Sequence, residues 1–248
     1  MKDIIATEQN ISQGTDSNNI LYQPKRLYNN VVKRLVDLIM ALFLAVLLSP
    51  LFFLIIMLVK LDSQGSALYR GIRTGRFGKE FKIFKFRSMV ENAENIGGGT
   101  TALNDQRITR SGAFLRKSKL DEIPQLFNII LGDMSFVGPR PELTMYTKQY
   151  EGIEKIILNV RPGITDLSSL EFIALDEIVG GENADEAYEK YVLKRKNKLR
   201  VEYVLKQSAI LDFKLFFTTI KDVIYKTIKV ISRRGSKQKY GIQETEKL

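Results

Sequence analysis

Two carboxylates stand side by side at Asp121-Glu122, directly after the basic run Arg116-Lys117-Ser118-Lys119 and directly before Ile123-Pro124. Proline is favoured in the first turn of a helix, so the pair is predicted at a helix start, where the positive backbone end favours carboxylates and attracts phosphate. Adjacent carboxylates can bind Mg²⁺ through oxygen, or divide the roles of nucleophile and metal ligand between them. An acidic helix cap would use the same residues, and Asp-Glu recurs at Asp176-Glu177 and Asp185-Glu186, so the dipeptide alone carries no weight. A second set of residues offers positive charge on stiff backbone. Arg140 lies between Pro139 and Pro141, whose rings restrict the chain on either side and suit the guanidinium to bidentate phosphate binding. Arg161 precedes Pro162-Gly163, Lys85 and Arg87 end an aromatic and basic stretch, and Arg107 sits in Asp105-Gln-Arg-Ile-Thr-Arg110. Taken singly, each of these also reads as a solvated charge or a structural ion pair.

The composition narrows the chemistry. The 248-residue chain has no cysteine and no histidine, which excludes disulfides, thiolate zinc sites, cysteine nucleophiles, imidazole bases and Ser-His-Asp triads. Carboxylates, Lys, Arg, Tyr, Ser/Thr and an oxygen-liganded Mg²⁺ remain. Lys and Arg number 38 against 28 Asp and Glu, a net charge of +10 that points to an anionic partner. Aromatic and basic residues interleave at Phe81–Arg87, which suits nucleic acid as well as a phosphate-bearing lipid or nucleotide. A nucleic-acid reading leaves the most apolar segment of the chain unexplained.

That segment, Leu35–Val59, carries Asp37 as its single charge. As a straight helix it would reach about 37 Å, enough for a hydrocarbon layer of roughly 30 Å. Ser49-Pro50 interrupts it: Pro50 has no N–H for the carbonyl of Val46, so the helix must kink or break, leaving arms at Leu35–Leu48 and Leu51–Val59. Basic residues flank both ends, with Lys33 and Arg34 before it and Lys60, Arg70, Arg73, Arg76 and Lys79 after it. On these residues alone a kinked spanning helix, the commoner solution, and a hairpin dipping into one leaflet both stand.

The rest of the chain must hold these groups in place. Residues 1–24 read as a mobile polar tail and 232–248 as another. Leu68–Arg87 suggests a turn near Gly75 and a short strand, with a bulge or strand end near Phe84 where the parity of Lys82 and Lys85 conflicts. Gly97–Gly99 reads as a flexible loop, Ile123–Leu131 as a helix ended by Gly132, and Val137–Pro141 and Arg161–Gly163 as rigid turns. From Asp185 to Ile231 the pattern is helical with a break near Ser208–Asp212. Its apolar face covers a core or lies on an anionic bilayer.

In combination the chain resembles the monotopic phosphoglycosyl transferases of bacterial glycan assembly, from about Lys33 to Asp222. The resemblance rests on Ser49-Pro50, Phe84-Lys-Phe-Arg-Ser-Met89, Asp105–Gly112, Leu120-Asp-Glu-Ile-Pro-Gln-Leu-Phe-Asn128, Gly132–Pro141 and Arg161-Pro-Gly-Ile-Thr165, in order and at family spacing. It implies an α+β, mainly helical, single membrane-associated catalytic domain over 25–231. This would carry a re-entrant helix-break-helix hairpin at about 33–60 and a small β element, in the minimal catalytic form. It also implies transfer of a phospho-sugar from a UDP-sugar to polyprenol (undecaprenyl) phosphate with release of UMP, at the cytoplasmic face of the bacterial inner membrane.

By the same resemblance Asp121 would be the nucleophile, forming an acyl-phosphate, and Glu122 would help hold Mg²⁺. Arg140, within Pro139-Arg-Pro141, and Arg161 would contact nucleotide and phosphate, with Lys85, Arg87 and Arg107 as further candidates. The implied partners are the donor, the lipid acceptor and inner-membrane lipids, with no nucleic acid and no indication of a homo-oligomer. A membrane-anchored scaffold that kept the fold is the alternative function. One departure stands out: after Thr165 the family usually continues with Gly and an apolar or aromatic residue, and here Asp166-Leu-Ser-Ser follows.

Overall fold

Pro50 divides the apolar stretch into two helices, α1 (Tyr28–Leu47), which opens on a π-helical turn, and α2 (Ser49–Asp62), bent by 62° at the break. The carbonyl that Pro50 leaves without a partner, on Val46, accepts a 2.8 Å hydrogen bond from the Ser49 hydroxyl. The two residues of Ser49-Pro50 therefore break the helix and repair the break. The structure, a computed structural model, describes residues 27–93, 96, 101, 105–172 and 184–245. The expected N-terminal tail and the Gly97–Gly99 loop lie outside the described residues.

One face of each arm packs inward at helical spacing: Lys33, Asp37 and Ala41 on α1, Ile55 and Val59 on α2. The opposite face is apolar and bare, with Val46 at 76% and Leu61 at 84% exposure and Leu35, Ile39, Phe43, Phe53 and Leu54 each more than half exposed. Such a surface marks an interaction site for something equally apolar. Among the described residues no single helix is long and apolar enough to cross a membrane, while the bent pair has the length and composition of a broken span or a re-entrant loop.

After α2 the chain forms an antiparallel hairpin, β1 (Leu68–Thr74) and β2 (Glu80–Phe86), in unbroken register from Leu68 opposite Phe86 to Thr74 opposite Glu80. Of the bulge or strand end expected near Phe84, no bulge occurs, and the strand ends two residues on at Phe86. The conflicting parity arises because the strand is covered on both faces: Ile83 enters the main core, while Phe86 packs with Ile55, Val59 and Leu115. The Phe84 amide donates to Asn128 Oδ1 at 2.9 Å.

Helix α3 (Arg110–Ser118) is capped by the Thr109 side chain. Lys119, at φ 60°, turns the chain into a 3₁₀ turn at Leu120–Glu122 that leads into α4 (Gln125–Leu131). Pro124 sits at the N-cap of α4 and Gly132, at φ 96°, ends it, close to the expected boundaries. Two three-residue strands then pair in parallel, β3 (Ser135–Val137) with β4 (Gly163–Thr165). They are too short to carry a sequence period, and the turns read at Val137–Pro141 and Arg161–Gly163 are their flanks. A Cβ on Gly163 would stand 2.1 Å from the Gly138 amide nitrogen, so both glycines are needed for the backbones to meet there.

Short helices α5 (Thr144–Thr147), α6 (Leu167–Glu171) and α7 (Ala184–Ala187) precede a π-helical stretch at Tyr188–Leu193, then α8 (Lys194–Lys206) and α9 (Ala209–Thr245). The α8–α9 break falls close to where the sequence placed it. Val201 and Val204 enter the core, whereas Phe213, Phe217 and Ile224 of α9 remain at least half exposed. Helix α9 runs on to Thr245, so 232–245 continues a helix where a loose tail was expected; the stretch has no proline to stop it. A buried polar latch joins the root of α1 to α9: Asp212 takes Lys33 Nζ at 2.6 Å and the Tyr28 and Tyr203 hydroxyls at 2.7 Å each.

Candidate active site

The 3₁₀ turn after Lys119 places Asp121 and Glu122 at one wall of a cavity of about 680 Å³. Asp121 is 6% exposed, and its Oδ1 is buried with no hydrogen-bond partner among the described residues. Glu122 has the opposite environment. Arg140 grips it through both guanidinium amines, with Nη1 at 3.0 Å from Oε2 and Nη2 in a close bond to Oε1, while Lys85 Nζ donates to Oε1 at 3.1 Å. Burial pushes the Asp121 carboxyl up from its usual range, against the pull of Lys85. Burial acts the same way on Glu122, but there the Arg140 and Lys85 charges win and hold it well below its usual range. Glu122 is thus the settled anion of the pair, and Asp121 the more basic one with an oxygen free of partners.

Each cation arrives by a separate route. Lys85 stands near the end of β2 and is itself pulled down by burial. Arg140 follows the Gly138–Gly163 contact; its amide donates to Asp166 Oδ2 at 3.1 Å and its Nη1 also to the Ile164 carbonyl at 3.1 Å. Asp166, the departure from the family pattern, is fully buried and caps α6 through the Ser169 amide at 2.7 Å. It therefore anchors both α6 and the Pro139-Arg140-Pro141 turn. Pro139 contributes its carbonyl to the Gly163 amide at 3.0 Å, and Pro141 lines the cavity.

The structure brings Asp121, Glu122, Lys85, Arg140 and Pro141 together and places the other three basic candidates elsewhere. Arg87 donates to the carbonyl and hydroxyl of Ser63, closing the end of α2. Arg107 pairs with Asp105 at 2.7 Å. Arg161 donates to the Gly132 and Asn29 carbonyls, at the end of α4 and the root of α1. None of the three lines the cavity.

The sequence offered no sign, beyond residue spacing, of a largely buried network beside the cavity. Arg200, with no exposed surface, bonds Glu142 at 2.5 Å, and Tyr188 closely donates to the same Glu142 oxygen. Lys196 lines the cavity beside them, and burial lowers its pKa to about 8. Only their spacing of four, Tyr188, Val192, Lys196, Arg200, Val204, hinted that one face of this basic helix turns inward. Burial acts to raise the Glu142 pKa, yet Arg200 and Lys196 hold it below its usual value, so its contribution to stability is present above the unfolded carboxyl pKa and is lost as pH falls through the folded one. Glu142→Gln is therefore expected to cost about 3 kcal/mol at pH 7 by stranding Arg200. Melting curves should show that deficit shrinking as pH falls below the ordinary carboxyl range.

Around the dyad the cavity changes character. It is lined by apolar Leu44, Leu48, Leu51, Phe216 and Ile220 from the bent pair and α9, and by the cationic Arg73, Arg116 and Lys119. Among the described residues no three His, Cys, Asp or Glu side chains converge as a metal site.

The cavity thus combines a carboxylate pair, one member of which is held by two cations, with apolar side chains of the bent helix pair. The family described as bacterial sugar transferase matches residues 28–226, and the chain belongs to this family of monotopic phosphoglycosyl transferases. It is 37% identical over 197 residues to a UDP-glucose:undecaprenyl-phosphate glucose-1-phosphate transferase of Klebsiella pneumoniae, covering 77% of this chain and 40% of that protein. It is 32% identical over 200 residues to a UDP-N-acetylgalactosamine-undecaprenyl-phosphate N-acetylgalactosaminephosphotransferase of Aeromonas hydrophila, covering 78% of this chain and 44% of that protein. With the exopolysaccharide production protein ExoY of Sinorhizobium fredii it shares 39% over 157 residues, 57% of this chain and 70% of that protein. The chain thus spans about two fifths of the length of the first two of these relatives.

Proposed function

We propose that this chain transfers a phospho-sugar from a UDP-sugar to polyprenol phosphate, with release of UMP, through a covalent intermediate on Asp121. The observation that carries this reading is the split inside the dyad: a carboxylate oxygen of Asp121 buried without a partner, beside a Glu122 whose charge is already met by Arg140 and Lys85. In the first step an Asp121 oxygen attacks the phosphorus that bears the sugar; the P–O bond to UMP breaks, and UMP leaves with the electron pair. An oxygen of the lipid phosphate then attacks the same phosphorus. The acyl-phosphate bond breaks, the Asp121 carboxylate is restored, and polyprenol diphosphate sugar leaves.

The chain's own groups support both steps. Arg140 and Lys85 supply fixed positive charge beside the phosphates, where charge moves between oxygens. The apolar lining suits a lipid chain, and one carboxylate can serve two substrates in turn because the intermediate stores the phospho-sugar. The unpartnered Asp121 oxygen also fits a Mg²⁺, with Glu122 able to join it by sharing an oxygen now bonded to Lys85. Mg²⁺ is commonly held by one or two carboxylates together with substrate phosphates, so a pair suffices. When bound, the ion would neutralise charge on the donor diphosphate.

The test is UMP release by the detergent-purified protein with Mg²⁺, undecaprenyl phosphate and a panel of UDP-sugars. Lipid-dependent UMP supports the reading, and the best donor names the sugar. UDP as the product would mean ordinary glycosyl transfer. Silence with every donor, together with no phospho-sugar adduct by intact mass, would favour a scaffold.

The bent helix pair is proposed to enter one leaflet from the cytoplasmic face and return. Because the chain has no cysteine, single cysteines at Leu27 and Ser63 report the side of each flank without background. Both are expected to label from the same side. Pro50→Leu restores the missing N–H and is expected to straighten the pair, moving the flanks to opposite sides. Opposite-side labelling before that substitution would mean a kinked span instead.

A further inference from the structure

The cavity that holds the dyad is also lined by an aromatic and basic cluster that the transfer chemistry above does not use. Phe172, at the end of α6, and Tyr188, in the π-helical stretch, line it with Lys196 from α8. Lys196 is 6% exposed, and its ammonium stands 4.9 Å from the Tyr188 ring centre and 5.9 Å from that of Phe172. Among the described residues, one of its three N–H donors is spent, on a long 3.4 Å bond to the Tyr188 hydroxyl. Glu142 lies near enough to balance its charge but takes its own bonds from Arg200 and Tyr188. A buried ammonium with donors to spare calls for an acceptor, and here it calls for one beside aromatic faces. Arg140 links this region to the dyad, since it bonds Glu122 and its charge also acts on Lys196.

We propose that this region holds the base of the donor nucleotide, with the pyrimidine ring against Phe172 and Tyr188 and Lys196 donating to the uracil O4 carbonyl. The proposal rests on the UDP-sugar reading above and deepens it by orienting the donor: base at Lys196, diphosphate past Arg140, sugar-bearing phosphorus at Asp121. The chemistry chooses the base over the sugar. A flat ring edged with carbonyl oxygens matches aromatic faces plus a donor-only ammonium, whereas sugar hydroxyls need acceptors as well as donors. The same chemistry rejects cytosine, which presents an amino group where uracil presents O4. An ammonium has no lone pair to receive that group, and two donors facing each other in a buried site leave both unpaired.

Calorimetric titration of the full chain in detergent with UMP and with CMP tests this without any turnover. The unmutated protein is expected to bind UMP about tenfold more tightly than CMP, the value of one hydrogen bond to a charged group. Lys196→Met is expected to weaken UMP about tenfold and bring the two nucleotides to near equality. Phe172→Leu leaves the buried Glu142–Arg200 pair untouched and is expected to weaken UMP and CMP by the same factor, so the stacking half of the proposal stands or falls even if Lys196→Met does not fold. Equal binding of UMP and CMP by the unmutated protein, or a ratio unchanged in a folded Lys196→Met, overturns the assignment. So does a Lys196→Met protein that changes its preference among UDP-sugars and keeps its preference for UMP, because that would put the sugar here. The two readings fail separately: lipid-dependent UMP release with a Lys196-independent base preference sinks only the base site, and Lys196-dependent UMP binding without release sinks only the transfer reaction.

Discussion

Asp121→Asn is expected to abolish lipid-dependent UMP release, by a factor on the order of 10⁴ or more, and at the same time to raise the melting temperature. The loss follows from removing the nucleophile, whose amide replacement cannot form the acyl-phosphate. The gain follows from the environment of the carboxylate. Burial raises the Asp121 pKa, so above the folded value the charged side chain is less favourable in the folded protein than in the unfolded chain, and folding is opposed at neutral pH. A neutral side chain of the same shape removes that opposition. An increase of about 2–4 °C for each kcal/mol recovered is the scale for a protein of this size. Stability held low at a reacting group is a common trade against activity. A variant that loses both activity and stability would show that Asp121 holds the fold together rather than performing chemistry. A variant that keeps releasing UMP would remove Asp121 from the mechanism altogether.

Arg140→Met carries the second large expectation. Glu122 would keep Lys85 but lose both bonds from the guanidinium, leaving a mostly buried carboxylate with much less compensation. Breaking a buried pair from one side typically costs about 3–5 kcal/mol. The melting temperature should therefore fall by roughly 10 °C, and UMP release should fall with it. The double variant Arg140→Met with Glu122→Gln removes both charges and is expected to regain most of the stability while staying inactive. That pattern assigns the instability to the stranded Glu122 and the inactivity to the loss of cationic charge beside the phosphates. If the double variant melted as low as the single one, the Arg140 side chain would be stabilising the fold through something other than Glu122. The measurements are thermal melts and UMP release on the same preparations.

The local chemistry of the chain was readable residue by residue. Ser49-Pro50 fixes a helix break because a proline ring has no proton to donate, and that is true in any tertiary setting. Pro124 and Gly132 bound α4 for equally local reasons, and the break before α9 falls where the sequence placed it. Asp121-Glu122 could be singled out from the two other Asp-Glu pairs through its basic prelude and following proline. Short pairings were not readable. Strands β3 and β4 have three residues each, below the length at which alternation can be seen, and their parallel contact depends on two glycines 25 residues apart meeting backbone to backbone. The parity conflict near Phe84 read as a bulge or a strand end because a single strand shows its own pattern and not what covers each face.

Which cation meets which anion was decided by the tertiary structure alone. Lys85, Arg87, Arg107, Arg140 and Arg161 are similar as residue types and all lie near motif positions, yet Lys85 and Arg140 reach Glu122 while the other three bind carbonyls or a neighbouring carboxylate. Lys196 and Arg200 belong to a basic stretch that the sequence does not single out, and the packing of α8 buries them both. The sequence by itself determined where the apolar stretch must bend, where α4 starts and stops, and which two adjacent carboxylates could share a reaction. Those outcomes depend on atoms within a few bonds of each other. The charge state of the carboxylates, the partners of the arginines and the shape of the cavity depend on contacts across 18 to 58 residues, such as Arg140 with Glu122 and Arg200 with Glu142. Burial makes those contacts strong by removing the water that would otherwise screen them, and only the folded chain creates that burial.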